Sequence, residues 1–263
     1  VGLSFAVIIP SKTTSNLVPC IERILMHEPN LPAENIVIVD DGVQWSEEAN
    51  DLMDGCTGIQ NERIDGKFVF SRAINLGINA MREMIDETCH GDPEPRIKLG
   101  RLKVDGVVLL NDDALLESPG GFSLLAETCR QHPEIGLIGA TTNLTGQPLQ
   151  QPRGIGLRIV PHIAFVCVYI PKSTIDLVET IDLSDSLRRW RVMDERYCID
   201  YGCCDRDLCE TVSRQGLKVA VLDSCYVDHG SLVSSFRGDP KQPKSYRQNY
   251  ALLLEKFGTL TTN

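Results

Sequence analysis

Two short runs of Ala, Val and Ile, at 6–9 and 36–39, constrain the fold more than any other feature of the sequence. Each stops abruptly at a polar cluster, and the residues between them carry helical spacing at Leu17, Ile21, Ile24 and Leu25. Two parallel strands joined by a helix satisfy that pattern, because parallel neighbours need a long crossover. Thr14 or Ser15 can cap the helix, Pro19 fits its first turn, and residues 30–32 end the connection. A second helix is predicted from Ile74, Gly77, Ile78, Met81 and Ile85, with Ser71 as its cap, followed by a continuous apolar strand over 107–110. Strands that alternate with helices imply an α/β protein whose mostly parallel central sheet is covered on both faces.

Beyond Asp113 the spacing predicts a helix over 122–130, a strand over 136–140 and a polar stretch over 141–161. A strand over 165–170, helices over 174–179 and 205–215, a strand over 218–222 and a last helix over 246–257 follow. No repeat or Gly/Ser-rich linker divides the chain, so a single domain over 1–263 is expected, with functional halves at 1–115 and 116–263. No apolar run approaches the roughly 20 residues of a membrane-spanning helix. A net charge of −10 disfavours nucleic acid as a partner. The ten cysteines are scattered, and no pair has the two-residue gap of a zinc ribbon, so they read as reduced, buried small hydrophobes. Residues 1–9 read as a core strand with no room for a cleavable leader, which leads to the expectation of a cytoplasmic protein.

Ligands of open α/β sheets bind outside the carboxyl ends of the strands. Three polar clusters are expected there: Pro10, Ser11 and Lys12; Asp40, Asp41 and Gly42; and Asn111, Asp112 and Asp113. One such acidic pair is ordinarily a turn or a cap, but three in one crevice point to a ligand. Adjacent carboxylates repel, and a divalent cation relieves that repulsion. Mg²⁺ or Mn²⁺ suits a few carboxylates, water and the oxygens of a diphosphate. No phosphate-binding G-x-x-x-x-G-K-[ST] loop follows a strand, and Gly154-Ile155-Gly156 lacks the third glycine of a dinucleotide fingerprint. Asp205 and Asp207 at a helix start, and His229 after a strand, remain open between structural and functional roles on spacing alone.

The ordered series Val7-Ile8-Ile9-Pro10, Ile38-Val39-Asp40-Asp41-Gly42, Ser71-Arg72-Ala73-Ile74-Asn75-Leu76-Gly77, Leu109-Leu110-Asn111-Asp112-Asp113, Met193-Asp194-Glu195-Arg196-Tyr197, residues 202–209, and His229 resembles the inverting family 2 glycosyltransferases of GT-A (Rossmann-like) fold. The similarity runs from about Phe5 to about Phe257. The resemblance implies that Pro10, Ser11, Lys12 and Asp40 or Asp41 contact the base and ribose, with Arg72 and Asn75 near the nucleotide or diphosphate. It implies that 111–113 is the acidic metal motif, Asn111 bonding the ribose or a metal-bound water while Asp113 and Asp112 hold the metal, completed by His229. Asp205 matches the general base, and Cys204 stands where an acidic residue commonly precedes it. Asp194, Glu195 and Cys204 are weaker candidates for acceptor contacts.

The expected reaction is a single displacement at an anomeric carbon, from a UDP-, dTDP- or GDP-sugar to a hydroxyl of a saccharide or other acceptor, with Asp205 taking the proton. A retaining GT-A transferase would keep the metal motif without Asp205 as base, and a nucleotide-binding module without catalysis is the alternative from another class. A nucleotidyltransferase lacks its basic, glycine-rich triphosphate loop here. The basic segment 92–103, with Arg96, Lys98, Arg101 and Lys103, reads as a solvated surface loop, and the sequon Asn143-Leu144-Thr145 as a chance match.

Overall fold

The computed structural model describes residues 4–45, 47–87, 96–154, 156–181, 190–197, 202–234 and 242–260. Residues 1–3, 92–95 and Ile155, named above, and two of the ten cysteines, Cys89 and Cys198, lie outside the described residues. β1 (Phe5–Ser11), α1 (Thr14–His27) and β2 (Ile36–Asp40) form the expected crossover unit, followed by α2 (Glu47–Leu52) and β3 (Thr57–Gln60). Then come α3 (Phe70–Ala80), a hairpin of β4 (Arg82–Glu87) and β5 (Arg96–Leu102), β6 (Gly106–Leu110), β7 (Leu115–Leu116), α4 (Gly121–Gln131) and β8 (Ile135–Thr142). The remainder is β9 (Leu157–Ile159), β10 (Cys167–Pro171), α5 (Lys172–Val178), the short pair β11 (Thr180–Ile181) and β12 (Trp190–Arg191), α6 (Cys204–Arg214), β13 (Lys218–Asp228) and α7 (Gln242–Phe257).

The main sheet runs β3-β2-β1-β6-β10-β8-β13-β7, with β9 also on β13. β3, β2, β1, β6, β8 and β13 point one way, and β10, β7 and β9 oppose them. The carboxyl ends of β1, β2, β6, β8 and β13 therefore share one edge, and β10 brings its amino end there. Both faces are covered, so the strands are apolar without alternation of polarity. Val7, Ile9, Val108 and Ala140 face α1 and α4, whereas Ala6, Ile8, Leu109 and Leu137 face α3 and α6. At Gly77 of α3 a Cβ would overlap the Cγ2 of Ile8, so only glycine lets α3 lie this close to β1.

Several elements differ from expectation. Thr13 is the residue before the first turn of α1, and Pro19 lies inside that helix, leaving the Ser15 carbonyl without its usual donor. α3 ends at Ala80, and Ser71 is within it, Val69 holding the cap position. The helix stops because Arg82 turns away to a tertiary anchor: its guanidinium is buried, ion-paired with Glu179 and 5.2 Å over the Trp190 ring. The segment expected as a basic loop is largely strand β5, although Arg101 and Lys103 are exposed as foreseen. β13 runs six residues past the expected end at Leu222, through a register shift between Leu222, opposite Ala140, and Tyr226, opposite Thr141. Among the described residues, eight cysteines are free thiols and no helix is long and apolar enough to cross a membrane.

Candidate functional site

The three expected polar clusters lie at the shared carboxyl edge. Ser11, the last residue of β1, is buried, and its Oγ donates to Asp112 Oδ2 at 2.7 Å, so the first cluster is bonded to the third. Desolvation pushes Asp112 up to about 6; the Ser11 hydrogen bond opposes the rise and the neighbouring Asp113 adds to it. A carboxyl held this high is one that a cation would relieve. Asn111 donates its backbone NH to the Val166 carbonyl just before β10, and Pro10 is buried inside β1 while Lys12 is exposed beyond its end.

The acids after β2 are engaged by protein. Asp40 Oδ1 accepts the Gly42 and Val43 NH groups, each at 2.7 Å, and Oδ2 accepts the Trp45 indole at 3.1 Å. Asp41 is buried and takes Arg63 through both carboxylate oxygens, with Asn61 donating to Oδ1 at 2.8 Å. Asn75 has its whole amide in use: Nδ2 donates to the Met193 carbonyl and Glu195 Oε1, and Oδ1 accepts the NH groups of Val192 and Met193. That leaves it no group for a diphosphate in this arrangement. Arg72 bridges Glu195 at 3.0 Å and Glu62 at 2.6 Å, so Arg72, Asn75 and Glu195 form one lock between α3 and the 192–195 segment.

Asp113 and His229 meet. His229 Nε2 lies 3.0 Å from Asp113 Oδ1, both side chains being largely buried, while Nδ1 lies 2.7 Å from the Leu144 carbonyl. A carbonyl only accepts, so the Nδ1 carries a proton and the Nε2 is the nitrogen turned to the carboxylate. Adjacent ligands of an octahedral ion with bonds of about 2.1 Å stand about 3.0 Å apart. Among the described residues no three His, Cys, Asp or Glu side chains form a ready metal cage. The pair fits instead an ion that keeps waters and takes substrate oxygens, which is how Mg²⁺ and Mn²⁺ are held.

α6 runs antiparallel to β13, so its first turn returns to this edge, and Cys209 of α6 contacts the Ile163 carbonyl three residues before Val166. Gly202 and Cys203 are left-handed, φ 90° and 73°, and Cys203, not Asp205, holds the cap position. A left-handed non-glycine residue is strained, which marks this turn as one held by its surroundings. Asp205 Oδ1 accepts the Arg206 NH at 2.7 Å, and burial pushes its carboxyl up. Asp207 has a different environment: Lys256 donates to both its oxygens and Tyr197 Oη to Oδ2 at 2.7 Å, which docks α7. Asp194 shares Lys256 and is bonded by Arg196, so it belongs to that docking cluster. Cys204 has its thiol against Ser71 and pushed up by burial. Spacing gave no sign of Asn143, Leu144, Arg63 or Lys256, whose partners lie 22 to 86 residues away.

No protein-family model matches the chain, and no curated protein matches it in sequence. Solved structures do match in fold. One is GalNAc-T7 with UDP, GalNAc and Mn²⁺, at TM-score 0.63 and 13% identity, over 96% of this chain and 48% of that one. Another is the mannosyltransferase PcManGT from Pyrobaculum calidifontis with GDP-Man and Mn²⁺, at TM-score 0.56 and 11% identity, over 99% of this chain and 66% of that one. This chain thus spans about half the length of the first and just under two thirds of the second. The mostly parallel sheet, its covering helices and these likenesses establish the GT-A glycosyltransferase fold for this chain.

Proposed function

We propose that the chain is a metal-dependent glycosyltransferase that moves a sugar from a UDP-, dTDP- or GDP-sugar to an acceptor hydroxyl, with inversion, in the manner of the family 2 enzymes. The observation that carries the reading is the Asp113–His229 pair, 3.0 Å apart at the carboxyl edge of a GT-A sheet. The GalNAc-T7 and PcManGT structures named above each contain a nucleotide or nucleotide sugar and Mn²⁺. Asp113 and His229, with Asp112 beside them, would hold Mn²⁺ or Mg²⁺, which when bound neutralises charge on a departing nucleoside diphosphate.

The residues of the chain supply the rest. Ser11 holds Asp112 in place at the floor of the donor site. Asp41 with Arg63, and Asp40 with Trp45, shape the loop after β2 toward the base and ribose. Asp205 takes the acceptor hydroxyl proton as that oxygen bonds to the anomeric carbon and the bond to the diphosphate oxygen breaks. Burial raises the proton affinity of Asp205 and Asp207 alike, and what favours Asp205 is that its neighbour is already committed to Lys256 and Tyr197. In this reading residues 1–115 bind the donor and 116–263 the acceptor.

Thermal-shift titration of the parent with Mn²⁺ and UDP-, dTDP- or GDP-sugars tests it. One donor class should stabilise the protein only with Mn²⁺, and Asp113→Ala should abolish that gain while keeping the fold. Equal stabilisation of Asp113→Ala would remove the metal assignment. The anomeric configuration of the product separates inversion from retention.

A further inference from the structure

The imidazole of His229 is held from behind by a loop that the proposed reaction does not itself use. Asn143, the first residue after β8, accepts the His229 backbone NH through Oδ1 at 2.9 Å and donates Nδ2 to Asp228 Oδ1 at 2.7 Å. The same Asp228 oxygen accepts the Gly230 NH at 2.8 Å, and Asp228 Oδ2 accepts the Ser231 hydroxyl. The next residue, Leu144, offers its carbonyl to His229 Nδ1 at 2.7 Å. Gly230 makes room for this arrangement: a Cβ there would lie 2.8 Å from Asn143 Nδ2. Its φ is not left-handed, so what it supplies is space, not backbone freedom. The carboxamide that bonds both the residue before His229 and His229 itself is therefore fixed on each side.

We infer that Asn143, admitted by Gly230 and tied by Asp228, is a positioning residue that clasps His229 so that Nδ1 stays on the Leu144 carbonyl and Nε2 stays on Asp113. This inference rests on the metal reading above. Partners that orient a ligating histidine commonly carry a 10- to 100-fold effect on metal affinity.

The test compares Asn143→Ala, Gly230→Ala, Leu144→Ala and His229→Ala with the parent. Mn²⁺ binding is measured by equilibrium dialysis with UDP and, in parallel, GDP, and the His229 ring nitrogens are read by ¹⁵N NMR of the metal-free proteins. Asn143→Ala and Gly230→Ala should each weaken Mn²⁺ binding about 10- to 100-fold and move the His229 Nδ1 and Nε2 resonances away from their parental positions, with folding intact. Leu144→Ala keeps its carbonyl and should match the parent on both measures. Parental Mn²⁺ affinity and ring pattern in both Asn143→Ala and Gly230→Ala, with binding lost in His229→Ala, would overturn the clasp and leave the metal reading standing. An equal loss in Leu144→Ala would reduce the effect to general loop disturbance and overturn it too. Parental Mn²⁺ binding by His229→Ala would overturn both.

Discussion

Replacing Asp112 with Asn should stabilise the metal-free protein at neutral pH, and the gain should disappear on acidification. In the fold Asp112 titrates at about 6 against 3.8 for a free carboxyl, chiefly because burial penalises its charge. At about 1.36 kcal/mol per unit this corresponds to about 3 kcal/mol of destabilisation when the group is ionised. Partial solvation of the side chain reduces the figure to about 1–3 kcal/mol. The sign follows from which state holds the proton. Above about pH 6 the carboxylate is charged in both states and the folded one bears the penalty. As pH falls from about 6 toward 3.8 the folded state takes up the proton first and the penalty fades. Asn retains an oxygen for the Ser11 hydroxyl and carries no charge at any pH. Urea unfolding with EDTA present, followed by tryptophan fluorescence, should place Asp112→Asn above the parent by about 1–3 kcal/mol near pH 7.5. Near pH 4.5 the gap should be much smaller. Mn²⁺ with UDP should then favour the parent, because a ligand that binds only the folded state stabilises it. A gap that is absent at neutral pH, or that does not change with pH, would refute the argument.

Three further outcomes are expected. Asp205→Asn keeps the bond to the Arg206 NH and removes the proposed base, so turnover should fall roughly 10²- to 10⁴-fold with donor and Mn²⁺ affinity unchanged, as read by steady-state kinetics and dialysis. Asn75→Ala strands the NH groups of Val192 and Met193 and the Met193 carbonyl in a buried place, and chemical denaturation should record a loss of about 2–4 kcal/mol. Gly77→Ala drives a methyl into Ile8 at the α3–β1 contact and should cost about 1–3 kcal/mol, with no change in the Mn²⁺ dependence of donor binding.

Much of this architecture is legible from local pattern. β1, β2 and β6 are unbroken apolar runs because both faces of the sheet are covered, and each ends in a polar cluster where the fold places one. The parts that sequence misses depend on distant partners. Met81 and Ile85 continue a helical period, yet α3 stops at Ala80, since Arg82 is drawn to Glu179 and Trp190 about a hundred residues on. The Asp223-Ser224 break reads as the end of a strand, but Arg158 binds Asp223 at 2.7 Å and the strand continues. Asp205 and Asp207 look alike in sequence, and only the partners of Asp207, Tyr197 ten residues before it and Lys256 on the distant α7, make them different. Asn75 looks like a ligand contact in its motif, whereas its amide is spent on the chain that carries Glu195.

The register shift in β13 acts as a length gauge. Between the pairs Leu222–Ala140 and Tyr226–Thr141 the strand inserts residues 223–225 against no advance on β8, and this surplus carries His229 level with Asn143 and Asp113. Removing one of those three residues would leave the pairing below Leu222 intact. It would draw the far end of the strand back by about 3.3 Å and turn each side chain there to the opposite face. Asp228 would lose Asn143, and the imidazole would point away from Asp113. A change in chain length at this one place would therefore leave the pairing up to Leu222 in place, yet turn Val227 out of the core and no longer assemble the Asp113–His229 pair. In comparing related chains, the count of residues between Leu222 and His229 is a sharper guide to a working site than the presence of the histidine itself.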